Sequence, residues 1–91
     1  MTARREVVVK NRTGLHARPA AVFVQLANKF ESDIMIEKDD QKVNGKSIMG
    51  ILMLAAERGA RIVVEAVGED AEQAVNELSE VLSQEIELDI A

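Results

Sequence analysis

The chain consists of short apolar segments whose hydrophobic spacing alternates between two residues and about 3.6 residues, with turn residues between them. The first spacing favours β-strands and the second favours amphipathic helices. None of the segments approaches the roughly 20 apolar residues that span a bilayer. The segments follow one another in the order β-α-β-β-α-β-α over 91 residues, which is the size of one domain. We therefore expect a single domain over residues 1–91, with helices on one side of an antiparallel or mixed sheet.

The turn residues and helix caps set the expected limits of these elements. Pro19 has no N–H, so it must lie in the first turn of the first helix, which then begins just after His16. Gly59 is expected at the C′ position of the second helix. Asp70 is expected to cap the third helix, with Gln73 completing a capping box. The predicted strands are 6–10, 34–36, 42–43 and 61–67, and the predicted helices are 17–28, 48–56 and 71–82.

Composition excludes several classes of site and partner. The chain has no Cys, which excludes disulfides, thiolate zinc sites and cysteine nucleophiles. With a single His and no Cys, we expect no metal site, and we expect no cofactor either. Two Phe as the only aromatic residues and a net charge of −5 argue against nucleic-acid binding. The first residues lack the apolar region of a signal peptide, so we expect a cytoplasmic protein without membrane insertion.

The charge is distributed unevenly along the chain. Residues 1–18 carry five basic side chains and one acidic side chain, whereas residues 63–91 carry nine acidic side chains and no basic one. Such polarity can steer a small protein onto a partner, although an acidic end can also be no more than a solvated helix face and a tail. Residues 85–91 are expected to form a short acidic tail that frays.

His16, the only imidazole, lies between a glycine-containing turn and the start of the first helix. The N–H groups of Ala17 and Arg18 then have no intrahelical acceptor, and the positive end of the helix dipole lies beside them. Arg18 adds a fixed positive charge, and a neutral imidazole can act as a nucleophile. This combination suits a phosphoryl group covalently held on His16, because helix N-termini bind anions. An unreactive histidine at a helix start, or one that only lines an anion pocket, fits the same pattern.

Ser47 follows the turn Asn44-Gly45-Lys46 and is expected to cap the second helix. An N-cap serine needs no further role, but it could also be modified. The apolar residues after it have the spacing of a helix too short to bury all of them. They can therefore serve as core residues or as an adaptable docking surface.

The stretch Gly14-Leu15-His16-Ala17-Arg18-Pro19-Ala20-Ala21 resembles the active-centre motif of the HPr phosphocarrier proteins of the phosphoenolpyruvate-dependent phosphotransferase system. A second stretch, Asn44-Gly45-Lys46-Ser47-Ile48-Met49-Gly50, supports the resemblance, which covers almost the whole chain. The resemblance implies an α+β fold, an open-faced β-sandwich with four antiparallel strands and three helices on one face.

The resemblance also implies a function for the site. His16 would accept a phosphoryl group from phosphorylated enzyme I and donate it to an EIIA-type domain, with Arg18 steadying the group. Ser47 matches the serine that an HPr kinase/phosphorylase modifies in this family. The partners would dock on the first two helices, and the predicted docking residues are Ala20, Ile48, Met49, Ile51 and Leu52.

Two other functions stay open at this point. A ferredoxin-like regulatory or anion-binding domain would use His16 without covalent phosphotransfer, and the two βαβ-like halves of the chain are compatible with that fold. A kinase-controlled regulatory protein would act through Ser47 alone. The residues also do not distinguish a carrier for sugar transport from one for the nitrogen-related branch of the system.

Overall fold

A computed structural model describes residues 1–84 of the chain, and it contains the seven expected elements in the expected order. The expected acidic tail, 85–91, lies outside the described residues. The strands are β1 (Thr2–Val8), β2 (Asp33–Lys38), β3 (Gln41–Asn44) and β4 (Arg61–Val67). The helices are α1 (Ala17–Ala27), α2 (Ile48–Met53) and α3 (Ala71–Leu82).

The four strands form one sheet in the order β1-β4-β2-β3, and each neighbouring pair is antiparallel. On β4 the side chains of Ile62, Val64 and Ala66 are buried against the helical layer, as the alternation of the strand predicts. Val63 and Glu65 alternate with them on the opposite face and are only half-buried. The α+β open-faced sandwich implied by the resemblance is therefore confirmed.

The core lies between this sheet face and the apolar stripes of the helices. Helix α1 contributes Ala20, Phe23 and Ala27 to the core, and Val24 at the edge of its apolar stripe is partly buried. The third helix contributes the stripe that its 3.6-residue period predicts, with only Val81 half-buried. The buried members of that stripe are Ala71, Ala74, Val75, Leu78 and Leu82.

Two of the predicted elements have a limit that is wrong by more than two residues. The first strand runs from Thr2 to Val8 and not over 6–10, because all seven of its residues pair with β4. The second helix ends at Met53 and not at 56. Ala55 adopts a left-handed conformation (φ 49°) and takes the C′ position that we had assigned to Gly59. Gly59 (φ 90°) instead belongs to the next turn, where its N–H donates to the carbonyl of Val9 at 2.8 Å.

The predicted capping box at α3 is also wrong. Asp70 is the N-cap residue, but its side chain makes no capping hydrogen bond, and Gln73 donates to Glu77 one turn further on. The Asp70 carboxylate instead accepts hydrogen bonds from the Ser32 hydroxyl and from the N–H groups of Glu31 and Ser32. These bonds lower the pKa of Asp70, and the bond from the Ser32 hydroxyl has the largest effect. They tie the start of α3 to the loop before β2.

Replacing Asp70 with Asn should destabilise the protein at neutral pH. Because folding lowers the pKa of Asp70, its contribution is present in full above the unfolded-state value of about 3.9 and is lost as the pH falls through the folded-state value. The parent and Asp70→Asn should therefore differ clearly in urea midpoint at pH 7 and converge toward pH 2. Glu69→Gln, a neighbouring exposed change of the same charge, should leave the midpoint nearly unchanged. A difference in urea midpoint between the parent and Asp70→Asn that stays constant from pH 7 to pH 2 would contradict this role.

Candidate functional site

The turn before α1 is held by its own hydrogen bonds. The N–H of Gly14 donates to the carbonyl of Asn11 at 2.9 Å. The buried side-chain amide of Asn11 donates in return to the Gly14 carbonyl at 3.1 Å and to the Thr13 hydroxyl at 3.2 Å. Gly14 has a φ of 77°, which a residue with a side chain rarely adopts. The turn is therefore built from Asn and Gly, as its sequence predicts.

The same turn packs directly on the segment that follows α2. The N–H of Leu15 donates to the carbonyl of Ala56 at 2.8 Å, and the Leu15 side chain is buried. A Cβ atom on Gly14 would lie 2.6 Å from the Ala56 oxygen and 3.0 Å from the Cα of Glu57. Because backbone atoms cannot yield at such distances, only glycine allows this approach. The contact fixes the direction in which the chain enters α1.

His16 is the N-cap residue of α1, with an extended backbone (φ −82°, ψ −172°) and no capping bond from its side chain. Its carbonyl accepts the N–H of Ala20 at 2.9 Å. The N–H groups of Ala17 and Arg18 donate no hydrogen bond within the described chain. Pro19 lies buried in the first turn, which confirms the predicted helix start. An exposed imidazole thus lies beside two unpartnered amides at the positive end of a helix.

The structure places His16 in a shallow cavity of about 280 Å³. The cavity is also lined by Thr13, Leu15, Leu52, Ala55, Ala56 and Glu57. Arg18 is not among these residues; its side chain is exposed and forms no ion pair with any residue in 1–84. Glu57 was not singled out in the sequence, because no local pattern shows that the segment after α2 reaches the start of α1.

Ser47 caps α2, as predicted. Its backbone is extended (φ −115°, ψ 118°), and its hydroxyl accepts the N–H of Gly50 at 3.1 Å. The residue is half-buried and does not line the His16 cavity. The neighbouring Lys46 ammonium donates to the carbonyl of Phe30 at 2.8 Å, so it is already committed to another part of the fold.

The five predicted docking residues divide into two groups. Ile48, Met49 and Leu52 are exposed, Met49 to 64%. Ala20 and Ile51 are 0% exposed and belong to the core, so their prediction as docking residues is wrong. Their side chains pack within the core between the helices and the sheet, which leaves no side-chain surface for a partner. Met53, also 64% exposed, was not predicted and extends the apolar surface of α2.

Within 1–84, no three His, Asp or Glu side chains are grouped so that they could hold a metal ion. No helix in this part of the chain is long and apolar enough to cross a membrane.

The fold and site define a small α+β protein that presents one exposed imidazole at a helix N-terminus. The family model described as the phosphorylation site of the HPr component of the phosphotransferase system matches residues 3–84. The chain therefore belongs to the HPr family, which supports a phosphocarrier role in that system.

Individual relatives agree with this assignment. The chain is 47% identical over 83 residues to the HPr-like protein Crh of Bacillus subtilis (strain 168), covering 91% of this chain and 98% of that one. It is 40% identical over 80 residues to the phosphocarrier protein HPr of Neisseria meningitidis serogroup A, covering 88% and 90%. The crystal structure of an HPr from Bacillus anthracis superimposes with a TM-score of 0.86 at 48% identity, covering 89% of this chain and 96% of that one.

Replacing Ala55 with Gly should stabilise the protein. Ala55 has a φ of 49° on the wall of the His16 cavity, where its Cβ disfavours the backbone conformation. Glycine removes that strain but loses more entropy on folding, so we expect a net gain of about 0.5–1 kcal/mol in the free energy of unfolding. Urea denaturation measures the change. Ala60→Gly, at a position without a positive φ, should destabilise the protein, and a loss of stability in Ala55→Gly as well would contradict the strain at residue 55.

Proposed function

We propose that this protein is a phosphocarrier in which His16 accepts a phosphoryl group from phosphorylated enzyme I and donates it to an EIIA-type domain. The observation that carries the proposal is the exposed His16 imidazole at the N-terminus of α1, next to the unpartnered N–H groups of Ala17 and Arg18. These amides and the helix dipole are placed to receive the oxygens of a group bonded to the ring. Family membership supports the same role.

The transfer exchanges one bond to phosphorus for another. A ring nitrogen of neutral His16 attacks the phosphorus atom, and the bond between phosphorus and the donor atom of enzyme I breaks. The bonding pair returns to that donor atom, and the other nitrogen of His16 keeps its proton. Donation to the next protein is the same exchange with His16 as the leaving group.

Arg18 is proposed to stabilise the phosphoryl group during these exchanges. Its guanidinium has no ion-pair partner among residues 1–84 and is exposed two residues after His16. It is therefore available to pair with phosphoryl oxygens once the group is present.

The partner surface is proposed to be the exposed side of α2, formed by Ile48, Met49, Leu52 and Met53. Leu52 also lines the His16 cavity, so this surface is continuous with the reactive ring. Methionine side chains adapt to differently shaped partners, which suits a carrier that must bind both a donor and an acceptor.

Ser47 is proposed to be a regulatory phosphorylation site for an HPr kinase/phosphorylase. A phosphate there adds roughly −1.5 to −2 charges at the start of α2, where the helix dipole tolerates it. The same charge lies next to Ile48 and Met49 and must be desolvated when a partner covers them. Phosphorylation would therefore weaken docking without unfolding the domain.

Replacing His16 with Ala should abolish labelling from phosphoenolpyruvate, magnesium and enzyme I, because no other imidazole is present. The side chain is exposed, so the circular dichroism spectrum and thermal midpoint should stay close to those of the parent. A parent protein that takes up no label would contradict the proposal and favour an anion-binding domain. Equal labelling of His16→Ala would place the phosphoryl group on another residue.

Replacing Ser47 with Asp should slow phosphorylation of His16 by enzyme I while leaving the thermal midpoint near that of the parent. Ser47→Ala separates the two roles of the residue, because it removes the cap without adding charge. We expect Ser47→Ala to lose about 1 kcal/mol of stability and to keep the parent rate of phosphorylation. A full rate in Ser47→Asp, or an equal slowing in both variants, would count against an electrostatic switch.

A further inference from the structure

We propose that Glu57 raises the transfer potential of the phosphoryl group on His16 by placing a second negative charge at the same cavity. This inference rests on the proposed function, because it concerns the phosphorylated form of that site. Glu57 forms no bond with the moving group. Its negative charge instead raises the free energy of the phosphorylated state relative to the unphosphorylated state.

The packing of the turn at Gly14 places Glu57 near His16. The Cα of Glu57 lies 3.0 Å from where a Cβ on Gly14 would be, and the Leu15–Ala56 hydrogen bond fixes the two segments side by side. Glu57 and His16 then line one cavity, in which Glu57 is the only acidic residue among those described.

The Glu57 carboxylate has no direct partner among residues 1–84. Within residues 1–84 its carboxylate forms no ion pair and accepts no hydrogen bond. Arg58 follows it directly and lines a second cavity with Lys38, Ala55, Ala60 and Glu57 itself, so Glu57 borders both cavities. Arg58 is not among the residues that line the His16 cavity.

The carboxylate acts differently on the two forms of the protein. A neutral imidazole carries no charge for it to repel, whereas the charged oxygens of a phosphoryl group leave the phosphorylated side chain with a net negative charge. Only the phosphorylated form is raised in free energy, so the group is accepted less readily and given up more readily. For two partly solvated charges that line one cavity, we expect an effect of about threefold to tenfold on the equilibrium constant.

The test compares Glu57→Gln with the parent, using the anion phosphoramidate as a donor that needs no partner protein. In this reaction the imidazole nitrogen bonds to phosphorus, the bond from phosphorus to the donor nitrogen breaks, and ammonia leaves. The phosphohistidine is measured by phosphorus NMR. Glu57→Gln should react about three times faster or more at low salt, and the difference should shrink in 1 M salt. Glu57→Asp, which keeps the charge, should stay close to the parent.

Glu69→Gln is the matched control, since it removes one exposed carboxylate beyond the opposite end of β4. It should react at the parent rate. An unchanged or slower rate in Glu57→Gln, or an equal acceleration in Glu69→Gln, would overturn the inference.

A second arm uses enzyme I at a fixed ratio of phosphoenolpyruvate to pyruvate and measures the phosphorylated fraction at equilibrium. Glu57→Gln should accumulate more phosphoprotein than the parent, and an equal or smaller fraction would overturn the inference. If enzyme I labels neither protein while phosphoramidate shows the expected difference, the proposed function fails and the role of Glu57 in the cavity stands.

Discussion

The backbone contact between Gly14 and the segment 56–58 holds the candidate site together. It joins parts of the chain that are far apart in sequence, through the hydrogen bond from Leu15 to Ala56 and an approach that leaves no room for a Cβ atom. The left-handed conformation at position 14 and this close approach both require a glycine there. As a result His16, at the start of α1, and Glu57 line one cavity.

The charges that we propose to act at this site oppose one another, which suits a carrier better than a binding protein. In this proposal the amides of Ala17 and Arg18, the helix dipole and the Arg18 side chain favour a phosphoryl group, whereas Glu57 disfavours it. A carrier must take the group from one protein and pass it to another, so neither the free form nor the phosphorylated form can be stabilised far above the other. We propose that Glu57 partly offsets the stabilisation of the phosphorylated form by the N-terminus of α1.

The parts of the fold that depend on local chemistry could be predicted from the sequence. Pro19 determined the start of α1, the glycine-containing turn preceded His16, and Ser47 capped α2. The errors arose where tertiary contacts decide. Asp70 has the pattern of a capping box, but the loop at Ser32 takes its carboxylate.

Burial in α2 and the lining of the cavity also depend on tertiary packing. Nearly every position of this short helix is apolar, so periodicity alone could not tell that Ile51 is buried while Met49 and Met53 are exposed. Glu57 had no local signal at all, because its relation to His16 exists only once the segment after α2 folds against Gly14.

We propose that the N-terminus of α1 receives the phosphoryl group on His16. Proton–nitrogen NMR spectra of the uniformly ¹⁵N-labelled protein, recorded before and after phosphorylation, observe the amides involved. We expect the amide protons of Ala17 and Arg18 to move strongly downfield as they begin to donate to phosphoryl oxygens, while the amide resonances of the β-sheet stay in place. Phosphorylation of His16 that leaves the Ala17 and Arg18 resonances unmoved would show that the helix N-terminus does not bind the group.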